Sequence, residues 1–338
     1  MGRTANENRS PVKTFSLITL LALSLVCSPM GWCAAQPGKV YRIGYLMFAP
    51  VADTPSPQRA ALLRAMERLG YVQGKNLLIE YSSAEANVEM LPDAAADLVG
   101  KKPALIFAIG TPTALAAKQA TRTIPIVMFA ADAVANGLVA SLAKPGGNVT
   151  GVSGAQIKLS PKRLEVLKEA VPRASRVAVL YSRVHPSHAQ ELKAISSRAR
   201  ELGLVLQPFD VTRVEDLQAA FFRMSARRPD AILVLFDYRT LIYRQMISEF
   251  AATNQLPTMF GARESVDAGG LISYGSNLEE MFARAASFAD RILNGADPGT
   301  LPVEQPTRFE LVINRRTARS LGLQIPEALL LRANILIE

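Results

Sequence analysis

The chain has 338 residues, 49% of them hydrophobic, and a formal net charge of +9 at pH 7, enough length and apolar content to bury the cores of two domains. Its Lys and Arg are scattered, and no basic run is interleaved with aromatic residues, so the charge reads as a solvated surface and not as a nucleic-acid footprint. Both cysteines, Cys27 and Cys33, fall in the first 35 residues, which leaves no disulfide and no Cys-based metal site in the rest of the chain.

Residues 1–35 have the pattern of an export signal. Arg9 and Lys13 precede the apolar run Phe15–Val26, which is short for a membrane span of about 20 residues, and Cys33-Ala34-Ala35 supplies small residues for cleavage near Ala35. The expected product is a periplasmic protein that begins near Gln36.

From Val40 onward strand and helix patterns alternate. Tyr41–Met47 reads as a strand, Ser56-Pro57 as the start of a helix, Asn76–Tyr81 as a strand and Val88–Val99 as a helix. Leu105–Ile109 is a continuous apolar run suited to a strand buried on both faces, and Gly110-Thr111-Pro112 turns it into a helix with Thr111 expected as N-cap. Ile124–Phe129 makes a further strand, with a helix expected near Asn136–Ala143. Lys144-Pro-Gly-Gly-Asn148 is the clearest break in the chain.

A second unit repeats the plan. A helix is expected from Pro161 to Val171, capped by Ser160, then strands at Arg176–Tyr181, Leu204–Val211, Ile232–Phe236, Thr258–Phe260 and Leu271–Tyr274. A helix follows Ser187, and Thr212-Arg-Val-Glu215 matches a capping box. The run Pro103–Thr111 is echoed by Pro229–Asp237, so that Thr111 aligns with Asp237. After a helix at Leu278–Leu293, a Pro/Gly-rich link and a strand at Phe309–Ile313 return to the two units. The pattern predicts an α/β protein of two Rossmann-like lobes, each a doubly wound parallel sheet, joined by a multi-crossover hinge. The lobes are expected to comprise residues 36–150 with about 276–298, and residues 151–275 with about 299–338.

Familiar catalytic patterns fit poorly. Gly70–Asn76 has the wrong spacing for a phosphate loop, no Gly-x-Gly-x-x-Gly follows the first strand, and Gly151-Val-Ser-Gly154 lacks a residue of the nucleophile elbow. His185 and His188 have no evident third ligand, so no metal is expected, nor any cofactor. What remains is a cleft beyond the strand ends. Thr111 and the helix N-terminus after Pro112 suit a carboxylate, and Asp237 suits an ammonium or hydroxyl. Phe48, Asp132, Tyr181, Ser182 and Tyr274 lie at or just past strand ends, where a pocket draws its aromatic and polar groups.

Taken in order, Arg42-Ile-Gly-Tyr-Leu46, Ala108-Ile-Gly-Thr-Pro-Thr-Ala-Leu-Ala-Ala117, Ile124-Pro-Ile-Val127, Gly137-Leu-Val139, Lys144-Pro-Gly-Gly-Asn-Val-Thr-Gly151 and the tail from Phe309 through Pro326 resemble ABC-transporter substrate-binding proteins of the tryptophan/tyrosine type. The resemblance runs from about Tyr41 to Glu338. It implies a type I periplasmic binding protein with three crossovers, not an enzyme, that captures a small carboxylate-bearing ligand and delivers it as a monomer to an ABC permease in the inner membrane. An aromatic or branched amino acid, or a related organic acid, is the implied ligand. The turn Gly110, Thr111, Pro112 and Thr113 matches the family's ligand-facing loop, and Asp237 sits where relatives carry an acidic residue. Tyr181 also matches, but Ser182 and the surroundings of Asp237 depart from the common pattern, which leaves the ligand open. An exported α/β enzyme using the same cleft, and a ligand-sensing receptor without a transport role, are the alternatives.

Overall fold

The computed structural model describes residues 38–338 apart from Asp53, so the export signal expected over residues 1–35 lies outside the described residues. The first lobe is built from β1 (Tyr41–Met47), α1 (Pro57–Arg68), β2 (Leu77–Ser83), α2 (Leu91–Gly100), β3 (Leu105–Ile109), α3 (Thr111–Ala120), β4 (Ile126–Ala131) and β5 (Val149–Gly154). Its five-stranded sheet has the order β2-β1-β3-β4-β5 and is parallel throughout. Every residue of β3, β4 and β5 is buried, as a parallel sheet covered on both faces requires, while β2 at the edge stays mostly half-buried.

The second lobe follows with α4 (Gln156–Ala170), β6 (Arg176–Tyr181), α5 (His188–Glu201), β7 (Val205–Asp210), α6 (Val214–Arg227), β8 (Ala231–Val234), α7 (Tyr238–Ile242), α8 (Arg244–Thr253), β9 (Thr258–Phe260), α9 (Arg263–Asp267) and β10 (Ile272–Gly275). The chain then forms α10 (Leu278–Leu293), β11 (Glu310–Asn314), α11 (Arg315–Ser320), α12 (Glu327–Arg332) and β12 (Ile335–Ile337). The second sheet has seven strands in the order β12-β11-β10-β9-β8-β6-β7, and β11 runs antiparallel to β10 where the repeat plan calls for parallel strands. Pro208 is accommodated because β7 is an edge strand.

The helix α10 belongs to the first sheet although it follows the second in sequence. Phe282 stacks on Phe129 of β4 at 4.0 Å, and the apolar face of α10 shares one core with β1, β3 and α1. Glu304 then pairs with Val152 alongside β5 before β11 enters the second sheet. The chain therefore crosses between lobes three times, after β5, after β10 and between Glu304 and β11. Among the described residues no helix is long and apolar enough to cross a membrane.

Several local expectations change. Residues 136–143 form turns instead of a helix, because Gly137 adopts φ 66° and the Asn136 amide is drawn away to Ala131 O and Ser187 Oγ, each at 2.7 Å. The helix expected from Pro161 starts earlier, at Gln156. Pro161 falls within α4, where its missing N–H leaves only one early-turn carbonyl unserved, and Ser160 is buried and donates to Glu191 instead of capping. In α6 the reciprocal acceptor is Asp216, one residue beyond Glu215: its Oδ2 takes the backbone N–H of Thr212 at 3.1 Å and of Arg213 at 2.8 Å.

Candidate functional site

In each sheet the winding reverses between two strands, β1 and β3 in the first lobe and β6 and β8 in the second. Crevices at such reversals, beyond the carboxyl ends of the strands, are where open α/β sheets bind ligands. The four loops that leave these strands meet. Phe48 after β1, Gly110–Thr113 after β3, His185 after β6 and Phe236–Arg239 after β8 line one cavity of about 30 Å³, which Gln156 and Ser276 complete from the crossovers.

The turn after β3 is set by Gly110. It sits at φ 103° and caps α3, and a Cβ there would approach the Tyr238 ring of the other lobe at 3.1 Å, so only glycine fits the backbone and the neighbour together. Thr111, expected as the cap, instead accepts a hydrogen bond from Ala131 N through Oγ1 at 2.8 Å, which ties the turn to the end of β4. Thr113 is fully buried, and its Oγ1 has no partner.

Across the cleft, Asp237 caps α7 and accepts from Arg239 three times: Oδ1 from the backbone N at 2.8 Å, Oδ2 from Nε at 2.9 Å and from Nη2 at 2.6 Å. Burial acts to raise the Asp237 carboxyl, but the Arg239 guanidinium, followed by the two histidines, overcomes it and holds the group well below the usual carboxylate range. Nη1 of Arg239 is left without a partner, and the guanidinium lies 5.6 Å from the centre of the Phe48 ring.

His185 and His188 stack with ring centres 4.1 Å apart, and the fold brings Asp237 within reach as the third group that the sequence did not reveal; the ligand atoms of all three lie within 4.8 Å of one another. Two of the three are already engaged. Asp237 is saturated by Arg239, and Nδ1 of His188 accepts from Ser182 N at 2.8 Å, so a cation would compete with a guanidinium already in place. Burial, then the neighbouring His188, pushes His185 down to about 3, which keeps it neutral with Nδ1 unpartnered.

Four of the residues that line this cavity thus carry a buried polar atom without a partner: Thr113 Oγ1, His185 Nδ1, Arg239 Nη1 and Ser276 Oγ. An unmet buried polar group costs about 1–3 kcal/mol. Their convergence calls for a polar guest. A second chamber, of about 400 Å³, adjoins the first and shares Phe48, Ile109 and Tyr238 with it.

Of the residues singled out from sequence, Phe48, Gly110, Thr111, Pro112, Thr113 and Asp237 line the cavity, and the other four do not. Asp132, at φ 45° and pushed up by burial, accepts from Ile157 N at 3.2 Å and so fastens the first lobe to the start of α4. Tyr181 lies on the outer side, beside Arg183 and Asp210. Ser182 is buried with Oγ 3.2 Å from Thr212 Oγ1, and Tyr274 packs on Phe309 and receives Arg163 Nε on its carbonyl at 2.7 Å. Arg239, Ser276 and Gln156 went unnoticed in the sequence. The Asp-x-Arg spacing at a strand end was the available signal for Arg239.

Comparison with known proteins gives one consistent result. A family described as ABC transporter substrate binding protein matches residues 53–337. The chain is 29% identical over 277 residues to a tyrosine-binding protein of Clostridioides difficile (strain R20291), a match covering 81% of this chain and 79% of the relative. It superimposes with a TM-score of 0.81 and 25% identity on the crystal structure of an ABC domain in complex with L-Trp from Streptococcus pneumonia, covering 88% of this chain and all of that one. Against the ligand-free, open structure of a substrate-binding protein with adhesive properties from Clostridium difficile the identity is 26%, with 88% of this chain and 99% of that one covered, but the TM-score falls to 0.61. At almost equal identity, the backbone follows the complex with L-Trp more closely than the open form.

Proposed function

Because the chain belongs to the family of ABC transporter substrate-binding proteins, we propose that it is the solute receptor of an ABC importer that captures an amino acid between its lobes. In this reading the protein is exported to the periplasm with its signal segment removed near Ala35, acts as a monomer and hands its ligand to a permease in the inner membrane. The ligand is an aromatic or branched amino acid or a related organic acid. The tyrosine-binding relative and the relative in complex with L-Trp support that class.

The observation that carries the proposal is the set of unpartnered atoms contributed from both sides of the cleft. Arg239 Nη1 and Thr113 Oγ1 suit a carboxylate, with the Thr111 turn and the N-terminus of α3 behind them. Asp237, expected to meet an ammonium, is occupied by Arg239; His185 Nδ1 and Ser276 Oγ are the remaining groups that an ammonium can reach. Because the ligand completes bonds to both lobes at once, it favours the closed arrangement over the open one.

The test is a thermal-shift panel of amino acids, organic acids and sugars on the purified protein. A ligand at 100 times its dissociation constant adds about 2.7 kcal/mol of stability. Shifts confined to aromatic or branched amino acids and their acid analogues are expected; stabilisation by sugars alone would sink the reading.

A further inference from the structure

The chain passes between the lobes directly after β5 and directly after β10, and one side chain bonds to residues beside both of these crossings. Arg163, two turns into α4, is fully buried. Its Nε donates to Tyr274 O at 2.7 Å, next to Gly275, where β10 ends and the chain returns toward α10. Its Nη2 donates to Gln156 Oε1 at 2.7 Å, at the first residue of α4, where the chain has just left β5. Gly261 beyond β9 makes room for the guanidinium, since a Cβ there would lie 3.1 Å from both Cζ and Nη2.

A third bond runs from Nη1 to Ser160 Oγ at 3.3 Å, so all three go to uncharged acceptors. The charge is balanced from a distance by Glu191 and Asp132, and burial pushes Arg163 down only to about 10, which leaves it ionised at neutral pH. A cation buried in this way is a poor source of stability. What it supplies is geometry, because a planar fork of donors holds two acceptors at a fixed separation. On the far side of Gln156 the bonds continue: Asp132 of the first lobe accepts from Ile157 N at 3.2 Å in the same turn of α4. Polar bonds therefore run from the end of β4, over the first crossing and through Arg163, to the start of the second. Both residues that complete the cavity from the crossings lie along this path. Gln156 is bonded to Arg163 directly, and Ser276 follows Tyr274 by two residues.

We propose that Arg163 is the positioning residue of the hinge: by bonding Tyr274 and Gln156 at once it locks the two crossings to each other, so that they turn as one when the lobes close, and it sets Gln156 and Ser276 in the cavity wall. Arg163 does not line the cavity and acts through its neighbours. This rests on the reading of the cleft as one that closes over a ligand.

Hydrogen exchange of the purified protein without ligand, read by mass spectrometry, tests the inference. Arg163→Lys keeps the charge near Glu191 and Asp132, but one ammonium nitrogen cannot take the places of both Nε and Nη2. Residues 154–158 and 274–278 are expected to exchange about tenfold faster than in the unaltered protein, with β6 and β8 changed by about twofold or less. Ser160→Ala removes the bond to Nη1, spares those to the crossings, and should change both segments by about twofold or less. If Arg163→Lys does not melt cooperatively, Gln156→Met breaks the bridge from its other end and should speed residues 274–278 as well as 154–158. Calorimetric titration with L-tryptophan should show binding weakened about tenfold in Arg163→Lys, although that residue is outside the cavity. Unchanged exchange at the crossings, exchange raised equally through β6 and β8, or faster crossings with full affinity would overturn the inference. If the unaltered protein binds neither L-tryptophan nor L-tyrosine, the ligand reading fails and the exchange result alone decides the hinge.

Discussion

Thr113 and Arg239 both present unmet donors to the cavity, but only one of them can be removed cleanly. Truncating Arg239 strands the buried Asp237 carboxylate, a change that destabilises by about 3–5 kcal/mol whatever happens to the ligand. Thr113→Val is nearly isosteric and removes a hydroxyl that has no partner in the protein. It should leave the ligand-free melting temperature unchanged or slightly raised while weakening amino-acid binding about tenfold, by calorimetry. Unchanged affinity would place the ligand elsewhere. A second residue speaks to pH. Glu191 of α5 is buried, accepts from Ser160 Oγ at 2.5 Å and leaves Oε1 unmet, and burial pushes its carboxyl from 4.5 up to about 7. The folded protein therefore holds this proton more tightly than the unfolded chain. That contribution is full below about pH 4.5 and is lost as pH rises through about 7. His185, pushed down from 6.5 to about 3, acts oppositely, its contribution being full above 6.5 and lost as pH falls toward 3. Glu191→Gln isolates the first effect: about 2–3 kcal/mol of added stability at pH 8 and little change at pH 4.5, read from thermal melts. Thr113 was singled out with the turn that resembles the family's ligand-facing loop. The role of Arg239 was not, because it depends on which guanidinium nitrogens Asp237 already occupies.

The turn between β3 and α3 joins a buried strand to a helix that starts at the cleft, and Gly110 decides its geometry. Gly110→Ala forces a side chain into φ 103° and toward Tyr238, so it should destabilise by about 1–3 kcal/mol and also weaken binding, as Tyr238 is pushed from its place between the cavities. A thermal melt and a titration on the same variant check both; loss of stability with full affinity would separate the turn from the site. Periodicity revealed the buried strands well because an apolar run of five residues, as in β3, has few alternatives in a parallel sheet. It failed where local signals yield to distant partners. Asn136 is bonded to Ser187 of the other lobe, and Pro161 is tolerated inside α4 because the helix is held by packing against the second sheet.

On the scale of the whole molecule the lobes are closed upon one another. Asn136 Nδ2 meets Ser187 Oγ at 2.7 Å, Arg213 Nη2 meets Glu89 Oε1 at 3.1 Å, and Gln58 reaches Glu264. The Arg213–Glu89 pair is exposed on both sides and contributes about 1 kcal/mol or less. Phe236, Tyr238 and Leu241 of the second lobe also pack against the core of the first, and what a ligand adds is bonds to the cleft atoms that stay unmet without it. Small-angle scattering should therefore show the ligand-free protein larger than the closed arrangement and contracting when an amino acid binds, with Asn136→Ala shifting the balance toward open and lowering apparent affinity by less than about tenfold. No contraction on binding would count against lobe closure. Three crossings between the lobes confine such a motion to a hinge.

The order of apolar runs, turns and helix starts determined by itself that this is an α/β chain of two similar units, because periodicity and backbone chemistry act over a few residues. Only the tertiary structure decided that α10 returns to the first sheet, that β11 runs antiparallel to β10, and which polar atoms in the cleft remain unmet. The first depends on partners more than a hundred residues away, the second on the detour of the chain along β5 before it re-enters the second sheet, and the third on hydrogen bonds that compete for the same atom. Asp237 shows the difference most directly: its position at a strand end was readable from the sequence, but its neutralisation by Arg239, which leaves Nη1 of the arginine without a partner, is a property of the folded cleft.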